Sequence, residues 1–140
     1  MSNTFYIARH GQTNWNILGK TQGHGNSDLT EKGKEQAKQL ANALKDYPID
    51  MIFTSDLGRA IETAQIIGNE IDVKVQKTKA LREMGFGAWE GLLIDEIKKD
   101  YSSIYDIWRN EPHLVDIPGG ETLHIIKERV DNFIQELNDK

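Results

Sequence analysis

The sequence predicts an α/β fold: a three-layer α/β/α arrangement around a mainly parallel sheet, lacking its last strand or strands. Three observations predict it. Short apolar runs at Phe5–Ala8, Met51–Phe53 and Val73–Val75 alternate with segments of helical periodicity, the order that places helices on both faces of a parallel sheet. The first two runs end in polar clusters, Arg9-His10-Gly11 and Thr54-Ser55-Asp56, and open α/β sheets hold ligands at the carboxyl ends of their strands. The final helix carries a full apolar stripe, yet no strand follows it before Lys140. In a parallel sheet such a helix is a crossover that feeds another strand, so residues 1–140 are expected to form a single domain cut short at its C-terminus.

Composition narrows the classes. At 140 residues the chain can bury one real core. Charged residues at 28% and hydrophobic residues at 38% are an ordinary globular balance. A net charge of -5 argues against a nucleic-acid or membrane-surface partner, although it leaves room for a local cluster of arginines around an anion. The chain has no cysteine, which excludes disulfides, thiolate metal sites and a cysteine nucleophile, and fits a cytoplasmic location. The N-terminus shows no basic region followed by a long apolar one, and no apolar run reaches membrane-spanning length.

Taken in order, Phe5 to Ala8 reads as a buried strand, and Thr13 to Leu18 as a short helical turn or loop. Gly19 to Asp28, with three glycines, reads as an extended loop of the kind that carries function. Thr30 is the expected N-cap of a helix whose apolar face is Ala37, Leu40, Ala41 and Leu44, ended by Asp46-Tyr47-Pro48. Met51-Ile52-Phe53 is a second buried strand, and Thr54-Ser55-Asp56 is a capping cluster for the helix after it, which Gly68-Asn69 is expected to close. Val73 and Val75 alternate with polar residues as a third strand, nearer an edge. Leu81 to Gly91 is a glycine-punctuated loop with aromatic and acidic residues. Helical patterning returns at 93–100 and 103–110, with Trp108 assigned to the core. After Pro118-Gly119-Gly120 the last helix places Leu123, Ile126, Val130, Phe133, Ile134 and Leu137 on one stripe.

Two arginines and a histidine carry the chemistry. Arg9 is a forked, permanently charged anion binder, and His10 is a base or nucleophile near neutral pH. Arg59 falls in the first turn of a helix, where its charge opposes the helix dipole and where a bound anion would balance it. If both strand ends open on one crevice, two guanidinium forks and an imidazole face a common point, a combination suited to a phosphoryl group.

The segment Phe5 to Asn16 resembles the Arg-His-Gly signature of the histidine phosphatase superfamily, also called phosphoglycerate-mutase-like. Four further stretches resemble family segments in the same order: Gln22-Gly23-His24 with Leu29 to Gly33, Thr54 to Ala60 with Thr63-Ala64, Leu81-Arg82-Glu83 with Gly87 to Gly91, and Pro118 to Thr122. The resemblance implies that His10 is the nucleophile that becomes a phosphohistidine, that Arg9 and Arg59 bind phosphate, and that Glu83 is the general acid, partly desolvated beside Phe86 or Trp89. It implies substrate contacts from Asn16, Gln22 and Gly23, a structural role for Glu90, no cofactor and no metal. The wording of Phe86 to Gly91 and the short stretch between Gly91 and Pro118 resemble the phosphatase branch, which favours hydrolysis of a small phosphorylated metabolite over a mutase-type transfer. The family's second histidine, in a Ser/Thr-His-Gly setting, has no counterpart here; His113 and His124 are weak stand-ins. That gap keeps open a non-catalytic phosphate- or partner-binding remnant, and self-association through an exposed sheet edge is expected.

Overall fold

The structure, a computed structural model, describes residues 2–139. The elements run α1 (Asn14–Leu18), α2 (Glu31–Leu44), β1 (Ile52–Thr54), α3 (Gly58–Ile71), β2 (Val75–Lys77), α4 (Ile94–Asp100), α5 (Ser102–Asn110) and α6 (Leu123–Asn138), with single 3-10 turns at Lys79–Leu81, Gly87–Trp89 and Pro112–Leu114.

Alternation along one short strand sets the layers. β1 pairs with β2 in parallel, Ile52 opposite Val75 and Thr54 opposite Lys77. Ile52 and Phe53 are consecutive and so face opposite sides of this sheet. Ile52 packs beneath α3 at Gly68, while the Phe53 ring meets Phe133 of α6 edge to face, centroids 5.3 Å apart. The molecule is therefore an α/β structure with a helix on each face of a parallel sheet.

The first expected strand is not formed. Residues 5–9 lie in no ladder, with Ile7 93% exposed and Phe5 and Tyr6 each 46% exposed. An apolar run becomes a strand only where neighbours accept and donate its backbone hydrogen bonds. Among the described residues the parallel ladder joins β1 to β2 alone. Tyr6 instead meets Tyr47 edge to face, and Asn3 Nδ2 donates to Asn138 Oδ1 at the end of α6.

Two end signals also read differently. The helix α3 continues past Gly68 to Ile71 and is stopped by Asp72 in the left-handed region at φ 56°. Gly68 is a packing position: a Cβ there would sit 2.8 Å from both Val73 O and Val75 Cγ2. Thr54-Ser55-Asp56 does not cap α3 either, because the N-cap is Leu57 and the Arg59 N–H donates to Asn26 Oδ1 at 3.0 Å from the glycine-rich loop. Asp56 takes a bidentate bond from Arg82 instead, at 2.6 and 2.7 Å. The third strand lies two residues later than Val73–Val75.

Thr30 caps α2 as expected, accepting from the Gly33 N–H, and Thr122 caps α6, accepting from the Ile125 N–H. The first turn of α2 lies directly against the turn that follows His10. A Cβ on Gly33 would overlap the Gln12 carbonyl and sit 2.9 Å from Gln12 N. The largest buried cluster lies elsewhere, behind residues 84–89: Met84, Trp89, Ile97, Val115 and Ile117, flanked by Phe86, Tyr101, Tyr105 and the half-buried Trp108. Each buried aliphatic side chain there contributes about 1.5–3 kcal/mol. Among the described residues no helix is long and apolar enough to cross a membrane.

Candidate active site

Two elements fix the turn that carries His10. The Gly11 N–H donates to Thr63 Oγ1 on α3 at 3.0 Å, and that hydroxyl donates to the Arg59 carbonyl at 2.8 Å. The Gln12 N–H donates to Gln36 Oε1 on α2 at 2.9 Å. Within the turn, His10 Nδ1 lies 2.7 Å from the Gly11 carbonyl oxygen. A carbonyl can only accept, so Nδ1 carries the hydrogen and Nε2 keeps its lone pair. Burial pushes the His10 pKa down from 6.5; the Gly11 bond opposes this, the charges of Arg59 and Arg9 add to it, and Glu83 opposes it. The protonated form of the ring is thus disfavoured, chiefly by burial.

Two shallow hollows flank His10. One is lined by Arg9, Gly11, Gln36 and Thr63 among others, and the second by Arg9, Gln12, Asn16 and Gln36. Arg9 is exposed and belongs to both. Arg59 is only 2% exposed. Its guanidinium donates to the Gly25 carbonyl at 2.5 Å, the Gly23 carbonyl at 2.7 Å and Glu83 Oε2 at 3.0 Å. Of the expected charged residues only Arg9 shares the hollows with His10; Arg59 and Glu83 line neither and reach the ring through their charge, with Arg59 engaged by its own chain.

Glu83 is not desolvated against Phe86 or Trp89. Its side chain is 45% exposed and pairs with Arg59. Phe86 stacks edge-on against Trp108 and Trp89 against Tyr101, so both rings belong to the buried cluster. Asn16 stands at the rim of the second hollow, where its Oδ1 accepts from Thr13 N at 2.9 Å as part of the α1 capping box. Gln22 is buried and turned into its own loop, accepting from Ser27 Oγ at 3.0 Å, and it lines neither hollow. Gly23 contributes through its carbonyl to Arg59. Glu90 braces the loop, its Oε2 accepting from the His24 and Gly25 N–H groups at 2.7 and 3.1 Å. His113 and His124 are exposed and line neither hollow.

Sequence reasoning passed over Gln36 and over a pair on the far side of Glu83, Arg129 and Glu121. Arg129 had a legible signal. It sits three residues after Ile126 and four before Phe133, a stripe position where an apolar residue is expected. Among the described residues no group of three or more His, Asp or Glu side chains is placed to hold a metal ion.

Comparison with known proteins identifies the family. A sequence model of the histidine phosphatase superfamily (branch 1) matches residues 5–140. Phosphoserine phosphatase 1 of Hydrogenobacter thermophilus is 36% identical over 134 residues, covering 96% of this chain and 64% of that protein. Phosphoglycerate mutase-like protein 4 of Arabidopsis thaliana is 37% identical over 137 residues, covering 96% of this chain and 60% of that protein. The mycobacterial glucosyl-3-phosphoglycerate phosphatase, solved in complex with VO3, superposes with a TM-score of 0.85 at 33% identity, covering 94% of this chain and 65% of that one. The chain spans less than two thirds of the length of each of these proteins.

Proposed function

The chain belongs to the histidine phosphatase superfamily, branch 1, and on that premise we propose that it hydrolyses phosphomonoesters through a phosphohistidine on His10. The observation that carries the reading is the bond between His10 Nδ1 and the Gly11 carbonyl, which leaves Nε2 as the nucleophile, with Arg9 in the same hollows and the charge of Arg59 felt at the ring. In the first step the Nε2 lone pair attacks phosphorus and the bond from phosphorus to the leaving oxygen breaks. Glu83 supplies the proton that the departing alkoxide needs. In the second step water attacks phosphorus, the N–P bond breaks and Glu83 takes the proton from the water. Arg9 and Arg59 offset the charge on the non-bridging oxygens. For Arg59 this means exchanging an intramolecular partner for substrate.

A small phosphorylated metabolite is the substrate class that fits the shallow, cationic hollows. The relatives named for phosphoserine phosphatase and glucosyl-3-phosphoglycerate phosphatase favour hydrolysis over transfer between hydroxyls. The test is to incubate the chain with a 32P-labelled aryl phosphate, quench, and look for an acid-labile, base-stable label. Wild type is expected to carry the label and release inorganic phosphate, and His10→Ala to do neither. Phosphate passed to another hydroxyl without release of inorganic phosphate would replace hydrolysis by a mutase-type reaction. No label and no turnover in wild type would leave a phosphate-binding chain without catalysis.

A further inference from the structure

The carboxylate of Glu83 can serve His10 only if the backbone that carries it is held still; His24 Nε2 lies 3.0 Å from the Glu83 carbonyl, and one side chain of α6 grips the segment at several points. Arg129 Nη1 donates to the Ala80 and Arg82 carbonyls at 2.9 and 2.6 Å. Its Nη2 donates to the Glu83 carbonyl at 3.1 Å and to Glu121 Oε1 at 3.0 Å. The same Glu121 oxygen accepts the Gly85 N–H at 2.8 Å and lies 3.1 Å from His24 Nε2. Residues 80–85 are thus gripped by their carbonyls on one side of Glu83 and by an N–H on the other. Four residues along α6 from Arg129, Phe133 anchors the helix on β1, so the grip is tied to the sheet. Four acceptors in a fork suit a guanidinium and cannot be reproduced by the compact ammonium of lysine.

We propose that Arg129, braced by Glu121, is the positioning residue for Glu83: it sets where the acid stands relative to Arg59 and His10 without itself touching substrate. The proposal rests on the reading of Glu83 as the proton donor. A positioning role for an acid has a signature that a merely structural role lacks. A leaving group that departs as a stable anion needs no proton, whereas an alkoxide does. Losing the acid, or misplacing it, therefore slows the first step with an alkyl phosphate and spares the first step with a dinitrophenyl phosphate.

The experiment measures kcat/KM, which reports the steps up to departure of the leaving group, for a simple alkyl phosphate and for 2,4-dinitrophenyl phosphate with wild type, Glu83→Gln, Arg129→Ala, Arg129→Lys and Glu121→Gln. Glu83→Gln should lose on the order of 10²- to 10⁴-fold in kcat/KM on the alkyl substrate only. Arg129→Ala should show the same selective loss, on the order of 10²-fold, since displacing a catalytic group by about 1 Å costs that much. The kcat alone is not the readout, because Glu83 also serves the second step, which both substrates share. Arg129→Lys should fail to restore the rate, and Glu121→Gln, which keeps an oxygen for Gly85 but loses the ionic contact, should show a smaller selective loss. Equal loss on both substrates, or an unchanged alkyl rate, for Arg129→Ala overturns the proposal. If Glu83→Gln is itself unselective, the acid reading fails; if Glu83→Gln is selective and Arg129→Ala is not, only the positioning role fails. Should Arg129→Ala not fold, the selective loss in Glu121→Gln decides alone, its absence counting against the proposal. A wild type inert on both substrates removes both readings together.

Discussion

At His10 the backbone chooses which ring nitrogen is free. Nδ1 is occupied by the carbonyl of the next residue, so the tautomer is set within one turn and needs no distant partner. Burial and the neighbouring arginines then lower the pKa from 6.5. The acid limb of kcat/KM is accordingly expected below pH 6.5, read from a pH series with an aryl phosphate. The same shift has a stability sign. Above 6.5 the ring is neutral in both folded and unfolded chains and costs nothing. As pH falls through 6.5 toward the folded value, the unfolded chain takes the proton first, so stability drops. His10→Asn should therefore lose less stability than wild type between pH 7.5 and 5.5, measured by urea midpoints; equal losses would remove His10 from the acid response. Arg9, His10 and Gly11 were legible because they are contiguous. Arg129 stands out on the apolar stripe of the last helix, but its task was not legible, because its four acceptors come from residues 80–83 and 121 and meet only in three dimensions.

At the scale of elements, the junction between α2 and the turn after His10 is the tightest backbone approach that bears on the site. Gly33 occupies the first turn of α2 with no room for a Cβ beside Gln12. Alanine favours a helix over glycine by roughly 1 kcal/mol, so propensity alone makes Gly33→Ala stabilising. Overpacking against a backbone carbonyl costs about 1–3 kcal/mol, and here it should win. A lower urea midpoint together with weaker vanadate binding is the expected result, because the turn pushed by the new methyl is the one that holds His10. A higher midpoint would show that the approach relaxes without cost. The helices were readable because a 3.6-residue apolar period and a capping threonine are local properties, as at Thr30. Phe5 to Ala8 was misread for the complementary reason. A strand is a property of its neighbours, and apolar composition does not supply them. Gly68 was misread because a glycine that ends a helix and a glycine that lets a strand pass close by look alike in one dimension.

Across the whole molecule, the parts of the candidate site have unequal support. Glu83 stands in front of the largest buried cluster, clasped through Arg129 and Glu121. His10 follows a stretch, residues 5–9, that is exposed and joins no ladder. The α/β class was legible because the alternation of apolar and helical segments spans the chain; the uneven distribution of its packing was not, since that depends on which faces meet.

This unevenness has a thermal consequence. Regions with few buried contacts open at lower free energy than the global transition, so on warming the nucleophile should wander while the acid loop is still in place. Loss of vanadate binding at His10 is expected at a lower temperature than loss of the α-helical circular dichroism signal, and cooling from between the two should restore binding in full. A single coincident transition would mean that the segment before His10 is fastened as firmly as the cluster behind Trp89. Heat, on this account, would disarm the protein before it unfolds it.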